Sequence, residues 1–480
     1  PGLLLDAYSN RGVLAGPIAE YDFDHGGAGV SRGKLMTGYI NDQGDTSELG
    51  QDVLGRPVDD SRYFMRWRHQ SRYKDRFSVK AVTNWWSDSE VLRDFRDDLF
   101  DSYQEPDNYL QASYRQKHYF LSAFTRYRPN DFQRVQERLP ELRFSHFPVE
   151  LADTGVYSEV EAGAVRLEEK GLLGAPDRES DRLDYYQGLR YPVKIADGVR
   201  FTPKAGFRLT HYDDAIGRED GFTRLLGEVG FDLGAEAYGT WEVQNDTWEI
   251  NGLRHKLEPV LKYRYVPEGD EGRNKIPLIE RESFSTLLPP IDLANTRQID
   301  EQPETHVARI GLENSLQTRH PEYGSRTLAQ LDLYQDYRFS TETNQNDYSD
   351  LHARVQFEPA YWIDVEVYHR FDPEFLTARE TRTRIGLKDG DKWRASVSTE
   401  NLQNEIDQYE LAVEYKLNED IRLQPRWQYD ARRGEFTEQS YRVVQILGRS
   451  WRIEYDLSVN NGDSRFDGLS FSVSAQLLGF

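Results

Sequence analysis

Tyr441 to Phe480 reads YRVVQILGRSWRIEYDLSVNNGDSRFDGLSFSVSAQLLGF, and the fold is decided here. Trp451, Ile453, Tyr455, Leu457 and Val459 alternate with Arg452, Glu454, Asp456 and Ser458. Asn460-Asn461-Gly462-Asp463 supplies turn chemistry, and Leu469, Phe471, Val473, Ala475 and Leu477 then alternate with Ser470, Ser472, Ser474 and Gln476. A period of two puts each set on its own face of a sheet. Two such runs about an Asn/Gly turn form an antiparallel hairpin. The apolar face belongs either in the core of a soluble sandwich or against lipid in a barrel with a polar lumen.

Composition narrows the choice. The 480 residues carry a formal charge of -22, from 82 acidic and 60 basic side chains, which argues against a nucleic-acid partner. Mean hydropathy is -0.78, and no run approaches the roughly 20 apolar residues of a spanning helix. Barrel strands escape that test because only half of each is apolar. Aromatics reach 13%, with 29 Tyr and 23 Phe, a supply that suits sheet cores and membrane girdles alike. Cys is absent, which excludes disulfides, thiolate metal sites and a cysteine nucleophile. The start at Pro1, with neither Met nor a signal segment, is expected of a processed or trimmed product.

The alternation extends back from Tyr441 almost without a break to Val307, with tight turns at Lys388–Asp391 and Asn418–Asp420. Before it, Gly269 to His306 is the longest stretch without period; it is either a loop folded into a lumen or a plain extracellular loop. Arg134 to Pro148, with two prolines, reads as a strand-poor link. Ser87-Asp88-Ser89-Glu90 fits a capping box, leading a short helix with Val91, Leu92, Phe95 and Leu99 on one face. Trp85 and Trp86 are candidate girdle aromatics. The opening is a hairpin: Leu3-Leu4-Leu5, a turn at Ser9-Asn10-Arg11-Gly12, then Val13 to Ile18 with Pro17 inside the second strand.

No repeat or composition break divides the chain, so residues 1–480 are expected to be one all-β domain. At about ten residues per strand the length accommodates roughly two dozen antiparallel strands. Single soluble cores stop growing at roughly 250–300 residues, which favours one large transmembrane barrel over a sandwich. Carboxylates are too many for any pair to stand out as catalytic, and the ten His form no HExxH. No P-loop and no G-x-S-x-G are present, so no enzyme, cofactor or metal is expected, and energy for any transport must come from partners. Arg66, Arg68, Arg72 and Lys74 are candidate lumen contacts for phosphates, or an ordinary charged face beside water.

Several stretches, in order, resemble the LptD family, the lipopolysaccharide-assembly or organic solvent tolerance proteins of the outer membrane. They are Trp86-Ser87-Asp88 with Asp94-Phe95, Phe132-Gln133 with Arg138-Leu139-Pro140-Glu141, Leu253-Arg254-His255 with Leu257-Glu258-Pro259, Tyr263 to Pro267, and Ile276-Pro277. The resemblance implies one barrel of about 26 antiparallel strands in a Gram-negative outer membrane, closing first strand on last. It implies a lipopolysaccharide translocon whose cargo leaves through a lateral gate at that closure. Pro1, Gly16 and Pro17, with Leu469, Phe471 and Val473, are the gate residues it points to. Proline there removes a ladder donor. Implied partners are the lipopolysaccharide cargo, outer-membrane lipid, a lumen plug lipoprotein of the LptE kind and a periplasmic bridge protein of the LptA kind. The family's disulfide-linked periplasmic N-terminal domain is expected to be absent from this Cys-free chain. Phe480 resembles a terminal barrel aromatic, one position out of register with Phe471 and Val473. Two other readings stand beside this one: a porin-like or substrate-specific outer-membrane channel, and a secreted β-rich carbohydrate-active protein.

Overall fold

The computed structural model describes residues 2–8, 10–45, 49–96, 99–100, 104–216, 221–269, 273–281, 283–302, 304–320, 322, 324–339, 346–448, 450–461 and 468–477. Pro1, Ser9, Gly462, Asp463, Pro303, Gly479 and Phe480 lie outside them. One antiparallel sheet takes up the chain. Its first part is β1 Gly2–Tyr8, β2 Gly12–Asp24, β3 Gly29–Asn41, β4 Ser61–Tyr73, β5 Phe77–Trp86, a short helix α1 Val91–Phe95, β6 Tyr109–Arg115, β7 Tyr119–Arg126, β8 Glu137–Glu150, β9 Tyr157–Glu169 and β10 Arg178–Arg190. Then come β11 Val193–Ala196, β12 Val199–Tyr212, β13 Phe222–Ala235, β14 Ala237–Asn245, β15 Ile250–Val266, β16 Thr305–His320, β17 Gly324–Arg338 and β18 Leu351–Ala360. The remainder is β19 Ile363–Phe371, β20 Ala378–Asp389, β21 Trp393–Leu402, β22 Ile406–Lys416, β23 Ile421–Asp430, β24 Glu435–Leu447, β25 Trp451–Asn460 and β26 Gly468–Leu477.

Each strand pairs with its neighbours and β26 returns to β1, so the sheet closes on itself. Of the 26 strands, 24 form the closed wall. The two others prolong a neighbour: β11 pairs only with the start of β12, and β14 only with the start of β15. No helix among the described residues is long and apolar enough to cross a membrane.

The period-two pattern separates the two faces. Leu183, Tyr185 and Leu189 on β10, Phe207 and Leu209 on β12, and Ile385 and Leu387 on β20 stand exposed in the outward register. Facing inward are Arg182, Tyr186, Arg208 and Thr210, all buried. An apolar band of this extent on the outside, around a charged interior, is the inversion of a soluble core and matches a membrane barrel. Loops are asymmetric. The long connections from β3 to β4, β5 to β6 and β15 to β16 leave from one rim, and short turns such as 74–76 and 390–392 lie at the other, which also carries the start of β1 and the end of β26.

Two sequence expectations fail here. Arg134–Pro148 is no strand-poor link: β8 runs through it, and its pairing with β9 skips between Arg138 and Glu141 and between His146 and Val149, where Pro140 and Pro148 sit. Irregular pairing lets a strand carry residues that cannot donate to the ladder. The capping box is not used either. Glu90, not Ser87, is the N-cap residue of α1 and makes no side-chain cap. Ser87 Oγ accepts from the Tyr63 backbone N–H at 3.1 Å and donates to Asp88 at 2.6 Å, so its hydroxyl serves tertiary structure.

Candidate functional site

The closure has the shortest register of the ring's joints among the described residues. Five residue pairs join β1 to β26, from Leu4 opposite Gln476 to Tyr8 opposite Ser472. The neighbouring joint between β25 and β26 has ten. The cause is length, since β1 has seven residues and β26 ten, offset along each other. Val473 faces Ala7 in the outward register, while Leu469 and Phe471 lie beyond the end of β1, 73% and 56% exposed. Three wall joints elsewhere, β5–β6, β13–β15 and β17–β18, have six pairs each, so the closure differs from these in degree.

Gly16 and Pro17 act one joint further in. Pro17 points outward and lies opposite Leu3 in an unbroken β1–β2 register. The β2–β3 register instead skips from Ala15–Tyr39 to Ile18–Met36. The Pro17 carbonyl accepts from Thr37 Oγ1 at 3.1 Å, so it points towards β3. In an antiparallel ladder a residue's N–H and C=O face the same neighbour, so the donor missing at Pro17 is one to β3 and not one at the closure. Gly16 is inward and tight: a Cβ there would lie 2.2 Å from the Thr37 carbonyl oxygen.

Behind this corner the lumen is filled. Leu4, Leu14 and Ile18 face inward yet are almost wholly buried, in a cluster with Ile40, Phe64, Trp86, Phe132 and the Val91, Leu92 and Phe95 face of α1. Trp86 is therefore core, whereas Trp85 is outward and half exposed against Tyr63. Polar contacts pin the same loop to β1: Tyr8 OH donates to the Phe95 carbonyl, and Arg96 meets Asp6 at 3.2 Å. Arg62, 0% exposed, holds Asp42 at 3.0 Å, Asp88 at 2.7 Å and Asp94 at 2.6 Å, and Arg11 meets Asp42 at 2.5 Å and Asp94 at 3.2 Å. Both guanidinium groups lie over the Phe95 ring, 5.1 and 5.0 Å from its centroid. Burial pushes the Asp42 carboxyl up, but bonds from Arg11, the Gly44 N–H and Arg62 outweigh it and hold it below the ordinary carboxylate range. Arg66, Arg68 and Arg72 continue the inward register of Arg62 along β4.

Of the Gly269–His306 segment, left open by the sequence between two placements, the described residues ahead of β16 fold inward as a strap. Arg182 on β10 binds Glu280 and Asp300, each at 2.7 Å, and Arg138 reaches Glu280 at 2.6 Å. Ile276, Ile279 and Leu293 are buried at this anchorage. The tip runs on round the wall. The Thr286 carbonyl accepts from Tyr368 OH on β19 at 3.3 Å, and Pro289 O from Arg309 on β16 at 2.6 Å. The sequence marked the opening strands and β26 but passed over Asp6, Tyr8 and the Arg62 cluster. A carboxylate in Leu3-Leu4-Leu5-Asp6, on the same face as Leu4, was the legible signal of a partner inside.

A family model described as LptD, LPS transport system D, matches residues 60–410. No curated protein sequence matches the chain. Among solved structures, the siderophore receptor PirA from Pseudomonas aeruginosa aligns over 99% of this chain and 79% of its own at 8% identity, with a TM-score of 0.40. The FrpB iron transporter from Neisseria meningitidis aligns over 99% and 80% at 7% identity, with a TM-score of 0.39. A mutant Rh. blastica porin aligns over 68% and 99% at 10% identity, with a TM-score of 0.24.

Proposed function

Because the chain belongs to the LptD family of LPS transport, we propose that it is the outer-membrane translocon that parts β1 from β26 and releases lipopolysaccharide sideways into the outer leaflet. It is a β-barrel of the Gram-negative outer membrane, with the short-turn rim periplasmic and the long-loop rim extracellular. The observation that carries the proposal is the five-pair closure beside a ten-pair neighbour. Net hydrogen-bond contributions of about 0.5–1.5 kcal/mol each make a short seam the joint that opens at least cost. Leu469 and Phe471 extend an apolar edge past the end of β1, where acyl chains would leave, while the charged lumen takes the sugar part. The gap at Gly16–Pro17 allows the β1–β2 hairpin to flex against β3. A lumen lipoprotein of the LptE kind and a periplasmic bridge of the LptA kind complete the reading, as sources of assembly and energy.

Paired cysteines at Ala7 and Val473, opposite each other across the closure, test it. Oxidised, the pair should abolish new surface lipopolysaccharide, and reductant should restore it. A control pair at Tyr455 and Val473 staples β25 to β26 and should leave delivery intact. Unchanged delivery through a fully crosslinked closure would refute the gate.

A further inference from the structure

Under the strap tip lies a cavity of about 720 Å³ against the inner wall of β17 to β23. It has the size of a small-molecule site. We propose that this cavity is a holding site for an anionic saccharide, with Arg384 binding the acidic group and Asp332 a sugar hydroxyl. This rests on the translocon reading and adds a fixed station within the lumen.

The charges lining the cavity are mostly spent on each other. Arg354 binds Glu366 at 2.7 Å, Arg382 reaches Glu400 at 3.5 Å, and Glu410 is taken by Arg426 from outside the lining at 2.8 Å. Arg384 is different: it lines the same cavity, faces inward on β20, and has no ion pair or hydrogen bond among the described residues. Across the cavity on β17, Asp332 accepts from Gln330 through one oxygen at 2.8 Å, while its Oδ1 is buried without a partner. A free guanidinium asks for a carboxylate or phosphate, and a buried carboxylate oxygen asks for a hydroxyl donor. An acidic saccharide offers a charged group and separate hydroxyl donors spread over its rings; a neutral sugar lacks the charge, and a small anion such as phosphate is too compact to present both from opposite sides of the cavity.

The rest of the lining agrees. Gln408 and Gln428 supply amides that both donate and accept, suited to hydroxyls. Leu287 at the strap tip stands 57% exposed over the cavity, an apolar surface for the C–H face of a pyranose. The tip is fixed there by Tyr368, whose hydroxyl also bonds His352 Nδ1 at 2.8 Å, and by Arg382 on Thr286 Oγ1 at 3.3 Å. The position is consistent with passage, because the lumen behind β1 to β5 is already occupied by α1 and its loop.

The test uses the full chain in lipid nanodiscs, titrated calorimetrically with trigalacturonate, maltotriose and inorganic phosphate. Trigalacturonate should bind tighter than either other probe, and Arg384→Gln should weaken it at least tenfold while leaving maltotriose unchanged. Asp332→Asn should weaken both sugars. Arg394→Gln, which removes another inward arginine of β21 from outside the cavity, should change nothing. Phosphate binding as tightly as trigalacturonate, an Arg384→Gln protein equal to the parent, or an equal loss in Arg394→Gln would each overturn the site. These readouts do not involve delivery, so a failed titration with a working closure crosslink removes the station and leaves the translocon reading standing.

Discussion

Arg62→Ala should loosen α1 and its loop from the inner wall. The Arg62 guanidinium is fully buried and holds three carboxylates, within 3.0 Å of Asp42 and nearer still to Asp88 and Asp94. Asp42 and Asp94 retain Arg11, but Asp88 loses its cation while its side chain stays largely buried. Removing one partner of a buried ion cluster costs about 3–5 kcal/mol, because the charges left behind are desolvated and unpaired. The apolar contacts of Val91, Leu92 and Phe95, about 1.5–3 kcal/mol each, oppose release, so α1 should remain docked most of the time. At one decade per 1.4 kcal/mol, the undocked fraction should rise roughly a hundredfold to a few thousandfold. Hydrogen exchange of a peptide covering 87–96, measured in nanodiscs, reads this directly. Arg62→Lys keeps the charge without the planar fork and should fall between. Exchange within about threefold of the parent, in a barrel that is still folded, would show that the ion cluster does not hold the loop.

Acid should release the same loop. The Asp42 carboxyl is depressed in the folded chain, so its stabilisation is complete above its unfolded value of 3.8 and is lost as pH falls through the lower folded one. Exchange of residues 87–96 should be unaffected by Asp42 between pH 7 and pH 5 and rise below about pH 4; a rise already at pH 6 would point to another group. Pro17→Ala restores an N–H facing β3 and should stabilise that joint by about 1 kcal/mol, seen as a higher unfolding temperature, while slowing lipopolysaccharide delivery. Gly16→Val places carbon against the Thr37 carbonyl and should cost about 1–3 kcal/mol of thermal stability. Arg182→Ala leaves Asp300 buried without its cation, while Glu280 keeps Arg138; loss of about 3–5 kcal/mol of anchorage should loosen the strap and raise conductance in planar bilayers.

The sequence showed the wall and concealed what fills it. Strand periodicity is local, so the alternation of Trp451–Val459 and Leu469–Leu477 is readable without any partner, and the structure has both strands there. The inward-folded loops are stabilised by residues far apart in sequence, as Arg62 is by Asp88 and Asp94, and Arg182 by Glu280 and Asp300. No local period encodes such pairs. Ser87 shows the same limit, since a capping pattern was present but tertiary hydrogen bonds took the hydroxyl. Prolines misled in two ways. Pro140 and Pro148 suggested a break where pairing irregularities keep the strand running. Pro17 suggested a weak closure where its missing donor lies towards β3. The side to which a strand residue's amide points depends on register, which the sequence of one strand does not contain.

The two lips of the closure are unequal. One is fastened from inside, where Tyr8 and Asp6 are tied to Phe95 and Arg96. The other turns Ser470, Ser472, Ser474 and Gln476 inward, and these make no side-chain hydrogen bond among the described residues. A separating force would therefore swing the C-terminal lip further than the N-terminal one, whose hairpin yields only at the Gly16–Pro17 gap, like a door leaf from its jamb. Spin labels should show this as a distance from β13 that changes more for β26 than for β1; equal movement of both would mean that the inner fastening yields first.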